Sequence, residues 1–512
     1  MVFRMNQANP FHARKSGILM HPTSLPSETG FGDLGPRAFE FVDQLAASGQ
    51  SWWQMLPVCP TDETGSPYVS SSTFAGNPLL ISLDTLAEEG LLSPKALGNH
   101  RPPAGREIEP VQALQAQESL LADAFEAFSN GGGANEAAYT EFRESQAGWL
   151  ADYARFRALK RAFGGSAWWE WPEDSGHKDP DDPAFDKNIR YTQFEQFIFH
   201  RQWRALKEYA AGKGVGLIGD IPIYVAHDSA DVWAKTHLFE LDESRRPTAY
   251  AGAPPDYFNQ DGQHWGNPLY DWAAHFDENF AWWKMRMAVN VTRFNALRLD
   301  HFIGFARFWA IPADAESPKD GAWREGPGEA IFSALEEELG ALPLIAEDLG
   351  SVGDDVHALR DRFGLPSMRV LQFAFDGSPD NPHLPHNIPE NAVVYTGTHD
   401  NDTAQGWFHG GDPILRNETP AGFAISRASA LRTFGGEPED IHWSMIRAAM
   451  KSQAALAIIP AQDVLGLGNE GRMNRPGVPE GNWTWRMREG AWNGEIEARL
   501  LSMTQKSGRA PE

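Results

Sequence analysis

The chain has 512 residues, with 44 lysines and arginines against 69 aspartates and glutamates, a net charge of −25. So acidic a surface repels nucleic acid and anionic lipid, and no run of about 18 apolar residues offers a membrane span, so neither nucleic acid nor membrane is expected as a partner. The single cysteine, Cys59, excludes an intrachain disulfide and a cysteine-built zinc site. The polar opening lacks the apolar core of a secretory signal, which leads us to expect a cytoplasmic protein. Hydrophobic residues make up 42% of the chain, enough for a folded core, and there are 19 tryptophans. Flat aromatic faces suit the polarised C–H patches of sugars as well as they suit a protein interior.

In chain order, eight short apolar runs read as strands: 17–21 (GILMH), 51–56 (SWWQML), 215–221 (VGLIGDI), 296–302 (ALRLDHF), 343–347 (PLIAE), 368–375 (MRVLQFAF), 392–398 (AVVYTGT) and 456–461 (LAIIPA). Runs without clean alternation suit parallel strands buried on both faces. Helical spacing appears between them. Phe39, Val42 and Leu45 are followed by Gly49, Ile331, Leu335 and Leu339 by Gly340, and Val356, Leu359 and Phe363 by Gly364. Ile441, Met445 and Ala449 precede the last strand. Eight strands alternating with helices predict an α/β fold, a (β/α)8 TIM barrel with inserted, largely helical subdomains; an open doubly wound sheet is the alternative. The whole chain reads as one catalytic domain. It carries an insertion at about 84–213 between the second and third strands and an active-site loop insertion at about 245–275. Within the first, 114–128 and 192–211 look helical, with Gly212 as a cap; within the second, 251–272 reads as a long loop.

Barrel chemistry sits at the C-terminal ends of strands. Three of these ends carry acids: Asp300 in RLDHF, Glu347 in IAEDLG and Asp400 in TGTHDND. Side chains alternate along a strand, so Arg298 and Asp300 share a face, and an arginine beneath Asp300 favours its ionised form. Glu347 follows Leu344, Ile345 and Ala346, an apolar setting that favours its protonated form. One ionised and one protonated carboxyl match retaining glycoside chemistry, in which the pair stands ~5 Å apart. His399, Asp400 and Asp402 offer ligands to a hard cation. The spacing of a calcium loop with its distal glutamate is absent, so no metal is expected.

RLDHF, AEDLG and TGTHDND, with DIPIYV at the end of the third strand, resemble the four short motifs of the α-amylase clan. SGILMHPTSLP, SPYVSSSTFAGNPLLISL, AGAPPDYFNQDGQHWGNPLYDW, RFGLPSMRVLQFAF and GRMNRPG followed by NWTWR narrow the likeness to the amylomaltase, or 4-α-glucanotransferase, family. The resemblance covers about residues 16 to 486. It implies transfer of α-1,4-glucan segments between maltooligosaccharides, starch chains and glucose by a retaining route, with cyclisation as a side activity and no cofactor. It further implies Asp300 as nucleophile, Glu347 as acid and then base, and Asp400 as the group that stabilises the transition state. Arg298, His399, Asp220 and Tyr68 would surround the sugar at the cleavage point. Tyr257, Phe258 and Trp265 would arch over the acceptor, and Asn474 and Pro476 would face them. The chain departs from the family pattern at Glu63, where a tyrosine is usual, and at Ser367, where glycine is usual. Two rival readings share these motifs: a hydrolase of the same clan and a catalytically inactive glucan-binding protein. Keeping all three acids argues against the second. The aromatic segment 256–265 argues against the first.

Overall fold

Twelve strands form in a computed structural model, which describes residues 10–28, 30–62, 64–100, 110–131, 136–172, 183–255, 260–350, 352–410, 420–478 and 480–511. In chain order they are β1 (Lys15–Leu19), β2 (Trp52–Gln54), β3 (Gly216–Ile221), β4 (Ala249–Ala253), β5 (Gln263–Pro268) and β6 (Ala296–Leu299). There follow β7 (Arg307–Pro312), β8 (Ala322–Glu325), β9 (Leu344–Ala346), β10 (Ser367–Val370), β11 (Ala392–Tyr395) and β12 (Leu456–Pro460). Eight of them close into a parallel barrel in the order β1-β12-β11-β10-β9-β6-β3-β2. These are the eight runs read from the sequence, and closure settles the choice between a barrel and an open sheet.

Both faces of the barrel strands are covered, which explains their unbroken apolar runs. Trp52, Ile218, Ala296, Ile345, Met368, Val393, Tyr395 and Ile458 pack within the barrel. The alternate residues, among them Trp53, Leu217, Leu297, Leu344, Val394 and Ile459, pack outward against the helices. Strand alternation therefore puts Gln54, Asp220 and Arg298 on the inner face of the barrel.

The helices form where the apolar spacing placed them. Pro36–Ala47 starts on a proline, which has no N–H to leave unsatisfied, and buries Ala38, Phe41, Val42 and Leu45. It stops before Gly49, whose φ of 71° suits glycine. The helix leading into β3 begins earlier than expected, at Pro183, and runs through Gly212; the left-handed residue is Gly214, not Gly212. Between β2 and β3 lie the helices Pro110–Gly131, Glu136–Ser145 and Ala147–Ala162. Phe128, Tyr139 and Phe142 pack their rings onto Phe194 and Phe197 of Pro183–Gly212.

The segment 251–272 departs from the loop expected of it. β4 and β5 belong to a second, antiparallel sheet of order β5-β4-β7-β8. β4 reads AYAGA and β5 QHWGNP, sequences with glycine and few β-branched residues. β4 takes its strand character from pairing with β7, which lies beyond β6 in the chain, and β5 takes its own from pairing with β4. No local pattern encodes a partner that distant.

Candidate active site

Asp220 and Arg298 face each other across neighbouring barrel strands, since β3 pairs with β6 in the register Asp220↔Arg298. The Arg298 guanidinium splits its donors. Nη1 lies 2.8 and 2.7 Å from the two Asp220 oxygens, and Nη2 lies 2.8 Å from Asp300 Oδ1. Burial alone disfavours the Arg298 charge, but Asp220 and Asp300 more than offset it and hold the guanidinium firmly protonated. The Tyr68 hydroxyl donates to Asp220 Oδ2 at 2.8 Å. Burial, then the Asp220 charge, pushes that hydroxyl well above its ordinary range, so it remains a donor. Asp300 stands one residue past the end of β6. Its side chain is 28% exposed where that of Arg298 is 6%, so the acid meets the mouth while the arginine stays beneath it.

Glu347 follows β9 directly. Its Oε2 accepts from the His301 N–H at 2.7 Å and its Oε1 from the Leu349 N–H at 3.0 Å. The Phe302 N–H donates to the Glu347 carbonyl at 3.1 Å. The residues after Asp300 thus grip Glu347 and fix the two acids relative to each other. His301 reaches this position with a φ of 51°, a left-handed conformation uncommon outside glycine. Burial pushes the Glu347 carboxyl up to about 8, against the opposing pull of Arg298 and the two N–H donors and with added repulsion from Asp300. At neutral pH it keeps its proton.

The third acid is held from the last strand's side. Asn474 Nδ2 donates to Asp400 Oδ1 at 2.6 Å, and His399 Nε2 is 3.4 Å from the same oxygen. Arg472 Nη2 donates to the Asp400 carbonyl at 2.8 Å, and the Asn474 N–H to the His399 carbonyl at 3.1 Å. The Tyr68 ring stacks on His399 at 5.1 Å and 16°, and Trp483 packs at a tilt on both. Beneath, the Tyr395 hydroxyl donates to Gln54 Oε1 at 2.9 Å and floors the pocket.

The structure therefore gathers Tyr68, Asp220, Arg298, Asp300, Glu347, His399, Asp400 and Asn474 around one mouth. Pro476 lies exposed in the loop that carries Asn474. Trp265 sits half-buried on β5 with its ring edge-on to His301 at 4.8 Å and 85°. Tyr257 and Phe258, and Glu63, lie outside the described residues. Among the described residues no group of three or more His, Cys, Asp or Glu side chains is placed to hold a metal ion. Sequence reasoning gave no role to His301, Arg472 or Trp483, although all three lie in the quoted motifs. His301 and Trp483 owe their placement to left-handed backbones, with φ of 51° and 62°, which no spacing reveals.

Comparison with known proteins agrees with this geometry. A family model described as 4-alpha-glucanotransferase matches residues 20–491. Proteins named 4-alpha-glucanotransferase from Synechocystis sp. and Thermus thermophilus are each 45% identical to this chain, covering 97% of it and 98% and 99% of their own lengths. A solved amylomaltase from Streptococcus agalactiae, in complex with acarbose, matches with a TM-score of 0.90 at 35% identity, over 97% of this chain and 100% of its own. With the family match running nearly end to end and the three acids gathered at one barrel mouth, the chain belongs to the 4-α-glucanotransferase family.

Proposed function

We propose that the chain moves α-1,4-glucan segments by retaining double displacement, with Asp300 as nucleophile, Glu347 as acid and base, and Asp400 steadying the charged transition state. The observation that carries this reading is the pairing of an arginine-held carboxylate with a neighbouring carboxyl that keeps its proton at neutral pH. Arg298 occupies Asp300 Oδ1, so Oδ2 is presented to the anomeric carbon. Glu347 protonates the departing glycosidic oxygen as the covalent glucosyl–enzyme forms. It then takes the proton of an acceptor hydroxyl as that bond is broken, which returns the original anomeric configuration. Asn474 and His399 orient Asp400 towards the sugar hydroxyls. Tyr68, stacked on His399, gives the sugar an aromatic wall.

Maltooligosaccharides and starch-like chains are the donors in this reading, and glucose or another glucan is the acceptor. A chain that turns its own free end onto the intermediate gives a cyclic product. Transfer prevails over hydrolysis because an oriented sugar hydroxyl acts at an effective concentration far above that of water. Trp265, Tyr257 and Phe258 are assigned to holding that sugar, and Pro476 to the facing loop. The reading also takes the chain as one catalytic unit with insertions at about 84–213 and 245–275, acting in the cytoplasm. Among the described residues no helix is long and apolar enough to cross a membrane.

Incubation with pure maltotriose, followed by separation by size, tests the reading. Glucose together with maltopentaose and longer chains is expected, with no rise in total reducing ends. A steady rise in reducing ends would assign a hydrolase instead.

The pH dependence follows from Glu347. The acid must be protonated in the free enzyme, so kcat/KM should be level near neutrality and fall about tenfold per pH unit above roughly 8. Stability falls with rising pH as well. The folded form holds the Glu347 proton more tightly than the unfolded chain, so this group's contribution is complete below its ordinary 4.5 and is lost as pH rises through about 8. A basic limb below pH 6 in a steady-state profile would contradict the assignment of Glu347 as acid.

A further inference from the structure

The antiparallel sheet β5-β4-β7-β8 has two faces of different chemistry. Directly paired residues on adjacent strands point to one face. Gly252 of β4 pairs with His264 of β5 and with Trp309 of β7, and Trp309 pairs with Trp323 of β8. One row across the sheet therefore reads His264, Gly252, Trp309, Trp323. Tyr250 stands on the same face and packs its ring on His264 at 4.7 Å. The opposite face carries Ala251, Phe308 and Ala310, all buried in the main core. The row faces outward: Trp323 is 38% exposed, His264 is exposed, and Tyr250 and Trp309 are half-buried.

These rings are held rather than loose. The Trp309 indole N–H donates to the Pro318 carbonyl at 2.8 Å. Its ring meets Trp323 edge-on at 5.4 Å, and the Arg307 guanidinium backs Trp323 at 4.9 Å while reaching Asp355 at 3.6 Å. Gly321 leaves the space that Trp309 needs, since a Cβ there would fall 2.3 Å from Nε1. Two aromatic pairs thus flank Gly252, whose missing side chain makes room for Ile311 between them, since a Cβ there would fall 2.5 Å from Ile311 Cδ1. The four strands span three inter-strand spacings, about 14 Å, the length of a short run of sugar residues.

The face is joined to the catalytic rim through a single strand. His264 points outward, and the next residue, Trp265, points inward onto His301, whose N–H holds Glu347. A ligand on the outer face lies one sheet thickness from the mouth. The chain's net charge of −25 disfavours a polyanion, and flat fixed rings suit the C–H faces of a neutral polymer.

We propose that the outward face of this sheet, with Tyr250, His264, Trp309 and Trp323, is a second docking surface for long α-1,4-glucan chains. It holds the polymer beside the mouth. The proposal rests on the glucan-transfer reading above, and maltotriose, too short to occupy both places at once, separates the two. Initial rates are compared on maltotriose and on subsaturating amylose for the intact protein and for Trp323→Ala, His264→Ala and Trp323→Phe. Trp323→Ala and His264→Ala should each lower amylose kcat/KM by about threefold to tenfold and leave maltotriose turnover unchanged. Trp323→Phe should recover most of the loss. Retardation of the folded protein in an amylose-containing native gel should weaken in the same order. Equal effects on both substrates, or none on amylose, would overturn the proposal. So would a change of molecular mass in light scattering with unaltered amylose kinetics, which assigns the face to a second copy of the chain. Absence of transfer from maltotriose by the unmodified protein would instead count against the functional reading itself.

Discussion

Replacing Asp300 by asparagine, or Glu347 by glutamine, is expected to lower glucan transfer by on the order of 10³-fold or more with the barrel intact. Asp300 supplies the covalent bond, and its asparagine counterpart has no carboxylate oxygen to give. Glu347 supplies the proton that lets the glycosidic oxygen depart. The two losses differ in kind. A glucosyl fluoride needs little protonation to leave, so the Glu347→Gln protein should form the intermediate from such a donor at a substantial rate, whereas Asp300→Asn should not. Comparable turnover of a fluoride donor by both variants would contradict the division of labour.

The second large effect is expected at Arg298. This guanidinium is buried between two carboxylates, with one nitrogen on Asp220 and the other on Asp300. Arg298→Met leaves Asp220 buried without its cation, at a cost of roughly 3–5 kcal/mol in stability. It also removes the group that fixes Asp300 Oδ1. Lysine should not rescue the function, because one ammonium on a flexible stem cannot reproduce a planar fork that serves both acids. Pairing Arg298→Met with Asp220→Asn should restore much of the denaturation midpoint, since the buried charge is gone, while activity stays low because Asp300 is still unsupported. Recovery of both together would mean that Arg298 acts only through stability.

The barrel was legible because each of its strands is buried on both faces and announces itself as an apolar run, and because the helices between carry their own spacing. The acids were legible for a related reason: strand ends converge at one mouth, so Asp300, Glu347 and Asp400 had to meet. The two-residue offset of Arg298 from Asp300 placed the arginine beneath the acid, and the structure pairs them at 2.8 Å. The second sheet was not legible. β4 and β5 are short and contain glycine; β4 is built on β7, whose position depends on the fold being complete, and β5 is built on β4. His301 was also out of reach. Its part lies in a backbone N–H aimed by a positive φ, and a backbone group leaves no mark in residue type.

The central claim, that Asp300 forms a covalent glucosyl–enzyme while Glu347 manages the proton, is tested most directly by trapping. The Glu347→Gln protein is incubated with α-maltotriosyl fluoride, digested, and analysed by peptide mass spectrometry. The account predicts that the peptide containing Asp300 gains the mass of the maltotriosyl group and that fragmentation places it on that side chain. An unmodified Asp300 peptide, with product released in inverted anomeric configuration, would contradict it.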